Sequence, residues 1–104
     1  GGTMQMVAPE LWDGAMPDGR SDLYALGFSL YALATDRMPY PANQFFSDEL
    51  AKIAHQSIPP IDPRTITPIH DSLAIVLLKS LEKDPDKRFQ TALEFREAFL
   101  EALR

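Results

Sequence analysis

Cysteine is absent from the 104 residues, which removes any disulfide framework, any thiolate nucleophile and any cysteine-ligated metal. That absence suits an intracellular, cytoplasmic protein. Basic charge is scarce as well: 10 Lys and Arg stand against 15 Asp and Glu, for a net charge of −5. Nucleic acids and anionic membrane surfaces both call for a basic face, so neither is an expected partner. The five glycines sit at 1, 2, 14, 19 and 27, and none of that spacing makes a phosphate-cradling loop. Long apolar runs are missing too. The most apolar stretch, Leu23 to Ala34, falls well short of the roughly 20 residues that a bilayer requires. The start, GGTMQMVAPE, has neither a basic region nor an apolar one and does not read as a secretory signal. Alternating strand patterns of useful length are also lacking, so the expected class is all-α.

What is present is enough for one folded domain. At this length a chain can bury roughly 60 to 70 % of its extended surface, and a hydrophobic fraction of 45 % supplies the residues to do it. The organising stretch is SDLYALGFSLYALATDR, Ser21 to Arg37. Ser21 is placed to cap a helix, Asp22 adds negative charge at its positive end, and Arg37 lies near the end that favours a cation. Between them the apolar residues go all the way round, which predicts a central helix over 21–37 enclosed on every side. Pro39 and Pro41 stop it. Residues 1–20 read as loop with a helical turn at Pro9 to Trp12, and Trp12 is expected in the core. Ser47 caps a short surface helix over 47–56, preceded by the unusual pair Phe45 and Phe46. A proline-rich loop, Ile58 to Pro68, leads to a largely buried helix over 71–82, capped by Asp71 or Ser72. In it Leu73, Val76, Leu77 and Leu81 form one stripe, which Ile75 and Leu78 widen. After the charged turn KDPDKRF, Thr91 and Glu94 make a capping box for a last helix over 91–104. Leu93, Phe95, Ala98, Phe99, Leu100 and Leu103 are its candidate inward residues.

No catalytic or metal-binding set emerges from the residues alone. His55 and His70 lack the companions of a triad or a zinc site and read as solvated histidines. The carboxylates read as surface charge and helix-start residues.

Three separated stretches carry a family resemblance. GTMQMVAPE, Gly2 to Glu10, resembles the end of the protein-kinase activation segment, G-T-x-x-Y-[MV]-A-P-E. SDLYALG, Ser21 to Gly27, resembles the opening of the large central C-lobe helix, S-D-V-[WY]-[SA]-L-G. LEKDPDKRF, Leu81 to Phe89, resembles the L-x-x-D-P-x-x-R-[PF] turn between the last two C-lobe helices. Their order and spacing agree across essentially the whole chain. The sequence therefore resembles the C-terminal part of the C-lobe of a eukaryotic-type serine/threonine protein kinase, from the A-P-E motif to the last helix.

The resemblance implies roles for particular residues. Glu10 and Arg88 would form a buried structural ion pair. Asp22 would correspond to the aspartate that anchors the catalytic loop, and with that loop outside the chain it falls back on helix N-terminal donors. Thr3 resembles the residue beside the substrate groove, although Met6 stands where the family usually has tyrosine. The glycine-rich loop, the V-A-I-K lysine, the H-R-D catalytic loop and the D-F-G aspartate have no counterpart in this sequence. The expectation is a substrate-side scaffold that is not an enzyme by itself and holds no metal. Mg-ATP is expected only for a complete parent kinase, and upstream kinase segments or a protein partner are the expected contacts. The alternative is a non-catalytic binding module that presents Phe45 and Phe46, or self-associates as a homodimer through exposed apolar surface by exchanging residues 1–20.

Overall fold

The structure, a computed structural model, describes residues 6–40 and 59–104. The 47–56 helix, Thr3, His55, Phe45 and Phe46 lie outside the described residues. Among the described residues four α-helices run in the order α1 (Pro9–Trp12), α2 (Gly19–Thr35), α3 (Asp71–Ser80) and α4 (Ala92–Ala102). Short 3-10 turns at Pro63–Thr65 and Pro85–Lys87 precede α3 and α4 respectively. Among the described residues there is no strand.

α2 begins two residues earlier than its sequence pattern suggests, and its cap is Asp18, not Ser21. The Asp18 carboxylate accepts from the backbone of Arg20 and Ser21, while the Ser21 hydroxyl accepts from the Asp18 backbone N–H. This reciprocal capping box satisfies donors at both ends of the first turn. Ser21 is left with a hydroxyl proton that it uses elsewhere. The helix stops at Thr35 because Asp36 adopts a left-handed backbone, φ 57°, before Arg37 is reached. α3 starts after His70, whose side chain makes no capping bond, so neither Asp71 nor Ser72 caps it. At α4 the Thr91 hydroxyl accepts from the Glu94 backbone, but the Glu94 carboxylate reaches the Gln90 N–H instead of closing the box on Thr91.

α3 packs against both α2 and α4. Tyr24, Phe28 and Tyr31 line the buried side of α2 and meet Ala8, Tyr40, Leu77 and Leu81 in the main core cluster. Trp12 packs half-buried against this cluster. A second cluster joins Leu23 and Val76 to Phe89, Phe95 and Ala102, with Phe89 edge-on to Phe95 at 5.5 Å and Phe95 stacked on Phe99 at 5.9 Å. Tyr31 ties the loop after residue 58 to α2 by donating to the Ile61 carbonyl.

Two faces differ from the sequence expectation. α2 is not enclosed all round: Leu33 is 81 % exposed and Leu26 45 % exposed. At 3.6 residues per turn these two lie roughly 140 to 160° from the centre of the buried stripe, so they share the opposite face. In α4 the inward residues are Phe95, Ala98, Phe99 and Ala102, a strict i, i+3, i+4, i+7 stripe. Leu93, Leu100 and Leu103 are exposed, and so is Ile75 on α3. Apolar identity alone marks more residues than one side of a helix can bury.

The tightest helix approach is at Gly27. A Cβ built there would stand 2.3 Å from the Ser80 Cβ, with no flexible side-chain end to give way. Gly27→Ala is therefore expected to cost about 1 to 3 kcal/mol in denaturant unfolding despite alanine's better helix propensity. Gly19→Ala, which meets nothing within 4 Å, should stay within about 0.5 kcal/mol of the parent. An unchanged midpoint for Gly27→Ala would contradict the packing.

Candidate functional site

The charged centre of the molecule is built from three elements far apart in sequence. α1 presents Glu10 from its first turn, the start of α2 presents Ser21, and the turn before α4 presents Arg88. Arg88 Nη2 donates to Glu10 Oε1 at 2.7 Å and Nη1 to Oε2 at 2.8 Å, a two-pronged ion pair across 78 residues. The remaining guanidinium N–H groups are also used: Nε donates to the Glu82 carbonyl at 2.7 Å, Nη1 to the Arg20 carbonyl at 3.2 Å and Nη2 to the Lys83 carbonyl at 3.2 Å. All five donors of the fork are thereby satisfied. The side chain of Arg88 has no exposed surface, and that of Glu10 is 16 % exposed. Its guanidinium also stands 4.9 Å from the ring centroid of Tyr24.

Ser21 completes the carboxylate's surroundings by donating from Oγ to Glu10 Oε2 at 2.9 Å. One hydroxyl thus closes the cap of α2 and clamps the ion pair. Burial pushes the Glu10 carboxyl up, but the Arg88 hydrogen bonds and charge, the local backbone and Ser21 together hold it below its ordinary value.

A second layer ties the same elements at the surface. Arg20 bridges Asp18 at 3.1 Å and Asp86 at 2.6 Å, and it reaches the Gln90 side-chain oxygen at 3.3 Å. Gln90 in turn donates to the carbonyls of Pro85, Asp86 and Arg88, closing the KDPDKRF turn on itself. The Arg20 hydrogen bonds hold the Asp18 carboxyl below the usual carboxylate range. Beneath the ion pair, the Lys83 ammonium donates to the Tyr40 hydroxyl, which is also hydrogen-bonded to Tyr24. Burial pushes both phenols up.

The structure brings Glu10 and Arg88 together and leaves Asp22 exposed in the first turn of α2, away from that pair. Thr3, Phe45 and Phe46 are outside the described residues. Among those described, no group of three or more His, Cys, Asp or Glu side chains is placed to hold a metal. Sequence reasoning missed Arg20, Asp18, Tyr40, Lys83 and Gln90. Asp18 was accessible, since an acidic residue three before a serine at a helix start is a capping pattern. The contacts of Gln90, Tyr40 and Lys83 run through tertiary geometry and leave no sequence pattern.

The arrangement around Glu10 and Arg88 is a closed structural clasp. Arg88→Ala would leave the Glu10 carboxylate half-buried and unpaired, and unfolding free energy should fall by about 3 to 5 kcal/mol. A melting temperature equal to the parent's would refute that role. Glu10 is lowered in the folded state from 4.5, so its contribution is present above that value and lost as pH falls through the lower, folded one. Acid unfolding of the parent should therefore steepen below about pH 4.5, and Glu10→Gln should flatten that limb.

No family model matches the sequence. The chain is 42 % identical over 106 residues to the serine/threonine-protein kinase Pkn1 of Myxococcus xanthus, an alignment covering 98 % of the chain and 14 % of that protein. It is 39 % identical over 98 residues to serine/threonine-protein kinase PknB of Mycolicibacterium smegmatis, covering 91 % of the chain and 15 % of the relative. Among solved structures, the PknI kinase domain of Mycobacterium tuberculosis superposes with a TM-score of 0.68 at 30 % identity, over 93 % of this chain and 34 % of that one. The chain spans about a seventh of the length of the curated relatives it matches. The A-P-E carboxylate clasped by the arginine of the D-P-D-K-R turn, on a helical frame that superposes on one third of a kinase domain, places this chain in the serine/threonine protein kinase family as a C-lobe segment.

Proposed function

We propose that the chain serves as the substrate-side floor of a kinase domain and carries none of the phosphoryl-transfer machinery itself. The observation behind this reading is the clasp: the only buried, fully satisfied ionic set among the described residues fixes the A-P-E segment to the helical base. Phosphoryl transfer rests on positioning and charge neutralisation around the phosphates. The lysine, the metal-binding aspartate and asparagine, and the catalytic aspartate that do this in the resembled family have no counterpart in the sequence. Mg-ATP is accordingly a ligand proposed for a complete kinase domain and not for this segment alone.

The open face of α2 supports the same reading. Leu26 and Leu33, with the shallow recess of about 230 Å³ formed by Leu30, Leu33, Leu73, Leu77 and Phe99, make an apolar seat beside the core. A further segment of a kinase domain would cover it. A second copy of the chain is the other reading that this face favours, because exposed apolar surface of this kind drives association. None of the described helices is long and apolar enough to cross a membrane.

Purified chain incubated with Mg-ATP and a general acceptor protein should transfer no phosphate to itself or to the acceptor. Robust incorporation would overturn the scaffold reading. Sedimentation across a dilution series separates the two covers of the apolar face. If copies pair there, Leu33→Glu should convert the dimer to monomer, and a strictly monomeric parent at high concentration eliminates self-association.

A further inference from the structure

Between the loop at Pro59 and Pro60 and the C-terminal end of α3 lies a cavity of about 530 Å³, within the usual size range of small-molecule sites. Leu78 and Leu81 contribute apolar wall, while Asp62, Glu82, Asp84 and Lys87 supply polar rim. Lys83 lines the same space. Its ammonium stands 4.2 Å from the centroid of the buried Tyr40 ring and donates to the Tyr40 hydroxyl. Among the described residues no carboxylate lies within ion-pair distance of it. The like charge of Arg88, whose own counter-ion, Glu10, is already engaged, also acts on it. The ammonium is thus half-buried, set beside another cation and, among the described residues, partnered by neutral oxygen and ring.

We propose that Lys83 is a nucleophilic amine that captures a small, uncharged carbonyl compound of the aldehyde class within this cavity as an imine. The neutral amine attacks the carbonyl carbon to form a C–N bond, and the carbonyl oxygen takes up a proton. Loss of that oxygen as water then gives the C=N bond, with no oxidant or reductant needed. The rim selects for an uncharged partner. An anionic electrophile such as an acyl phosphate would meet Glu82 and Asp84, against which Lys87 is a single exposed countercharge, while Asp62 is held by Arg64 at 2.7 Å.

Reactivity follows from the same surroundings. Burial, and then the neighbouring Arg88 charge, push the Lys83 ammonium down to about 8. At neutral pH that raises the unprotonated fraction by roughly 200-fold over an ordinary lysine near 10.4. A Brønsted slope of the size found for thiols, about 0.4 to 0.5, gives back some 10- to 20-fold in intrinsic nucleophilicity. The net expectation is a rate advantage on the order of 10-fold at neutral pH.

The test is competitive labelling of the intact chain with isotopic formaldehyde and cyanoborohydride between about pH 6 and pH 10, with peptide mass spectrometry resolving Lys79, Lys83 and Lys87. Lys83 should label about 10-fold faster than the other two at pH 7, with its rate levelling above about pH 8. Lys83→Arg, which keeps a cation over Tyr40, should retain the helical circular dichroism signal and lose the fast phase. Equal or slower labelling of Lys83, a rate that keeps climbing well above about pH 8, or a fast phase that survives Lys83→Arg would each overturn the proposal. All of these readouts are independent of whether the chain acts as a kinase-domain floor.

Discussion

A guanidinium with no exposed surface is stable inside a protein only if its charge is balanced and every donor is occupied. Arg88 meets both conditions, and the way it does so organises the molecule. The counter-charge comes from α1, two carbonyls come from the residues directly following α3, and a third comes from the first turn of α2. Three segments separated by up to 78 residues must be in register before the fork is satisfied. Replacing such a cluster with apolar side chains need not cost stability, but removing one member leaves a stranded charge. The clasp therefore acts mainly as a condition on the fold: alternative dockings of the N-terminal segment leave either Glu10 or Arg88 without its partner.

Ser21 shows how the helix cap and the clasp became one device. Had Ser21 been the cap of α2, its hydroxyl would sit at the helix end with its bonding spent on backbone N–H groups. Asp18 takes that task with a carboxylate that also suits the helix dipole, and Ser21 moves to the third position of the helix. There its oxygen accepts from Asp18 while its proton goes to Glu10. Arg20 repeats the pattern at the surface, spanning Asp18 and Asp86 with its side chain while its carbonyl receives Arg88. The exposed bridges are each weak in water, yet they hold the backbone carbonyl that the buried arginine needs.

Much of this was legible in the sequence, and the reasons for the misses are physical. The helices of 71–82 and 91–104 appear as Asp71–Ser80 and Ala92–Ala102, because proline and the flanking charges punctuate them strongly. The pairing of Glu10 with Arg88 could be named only through family resemblance, since no local pattern links residues 78 apart. What failed was the inference from composition to enclosure. Leu26 and Leu33 are as apolar as Leu23, but burial depends on what packs opposite, and α3 and α4 both lie on one side of α2. The same error put Leu93 and Leu100 in the core, where the i, i+3, i+4, i+7 stripe through Phe95 leaves them on the far side. Lys83 left no signal at all, because nothing local sets a lysine beneath a tyrosine 43 residues earlier.

Two cations share the region under the clasp, and they answer its low polarity differently. A guanidinium in a protein does not surrender its proton, so its surroundings must be built to accommodate the charge. The carbonyls of Glu82 and Lys83 and the carboxylate of Glu10 are that accommodation. They are used up by Arg88, and among the described residues the adjacent ammonium finds the Tyr40 hydroxyl and ring. A lysine can release its proton instead, and that route becomes more favourable as each nearby acceptor is taken. Burial first, and then the charge of Arg88 beside it, lower the pKa of Lys83, and loosening the clasp would free carbonyl oxygens and a carboxylate for the ammonium and raise it again. The structural core and the reactive amine of this segment are two outcomes of one allocation of hydrogen-bond acceptors.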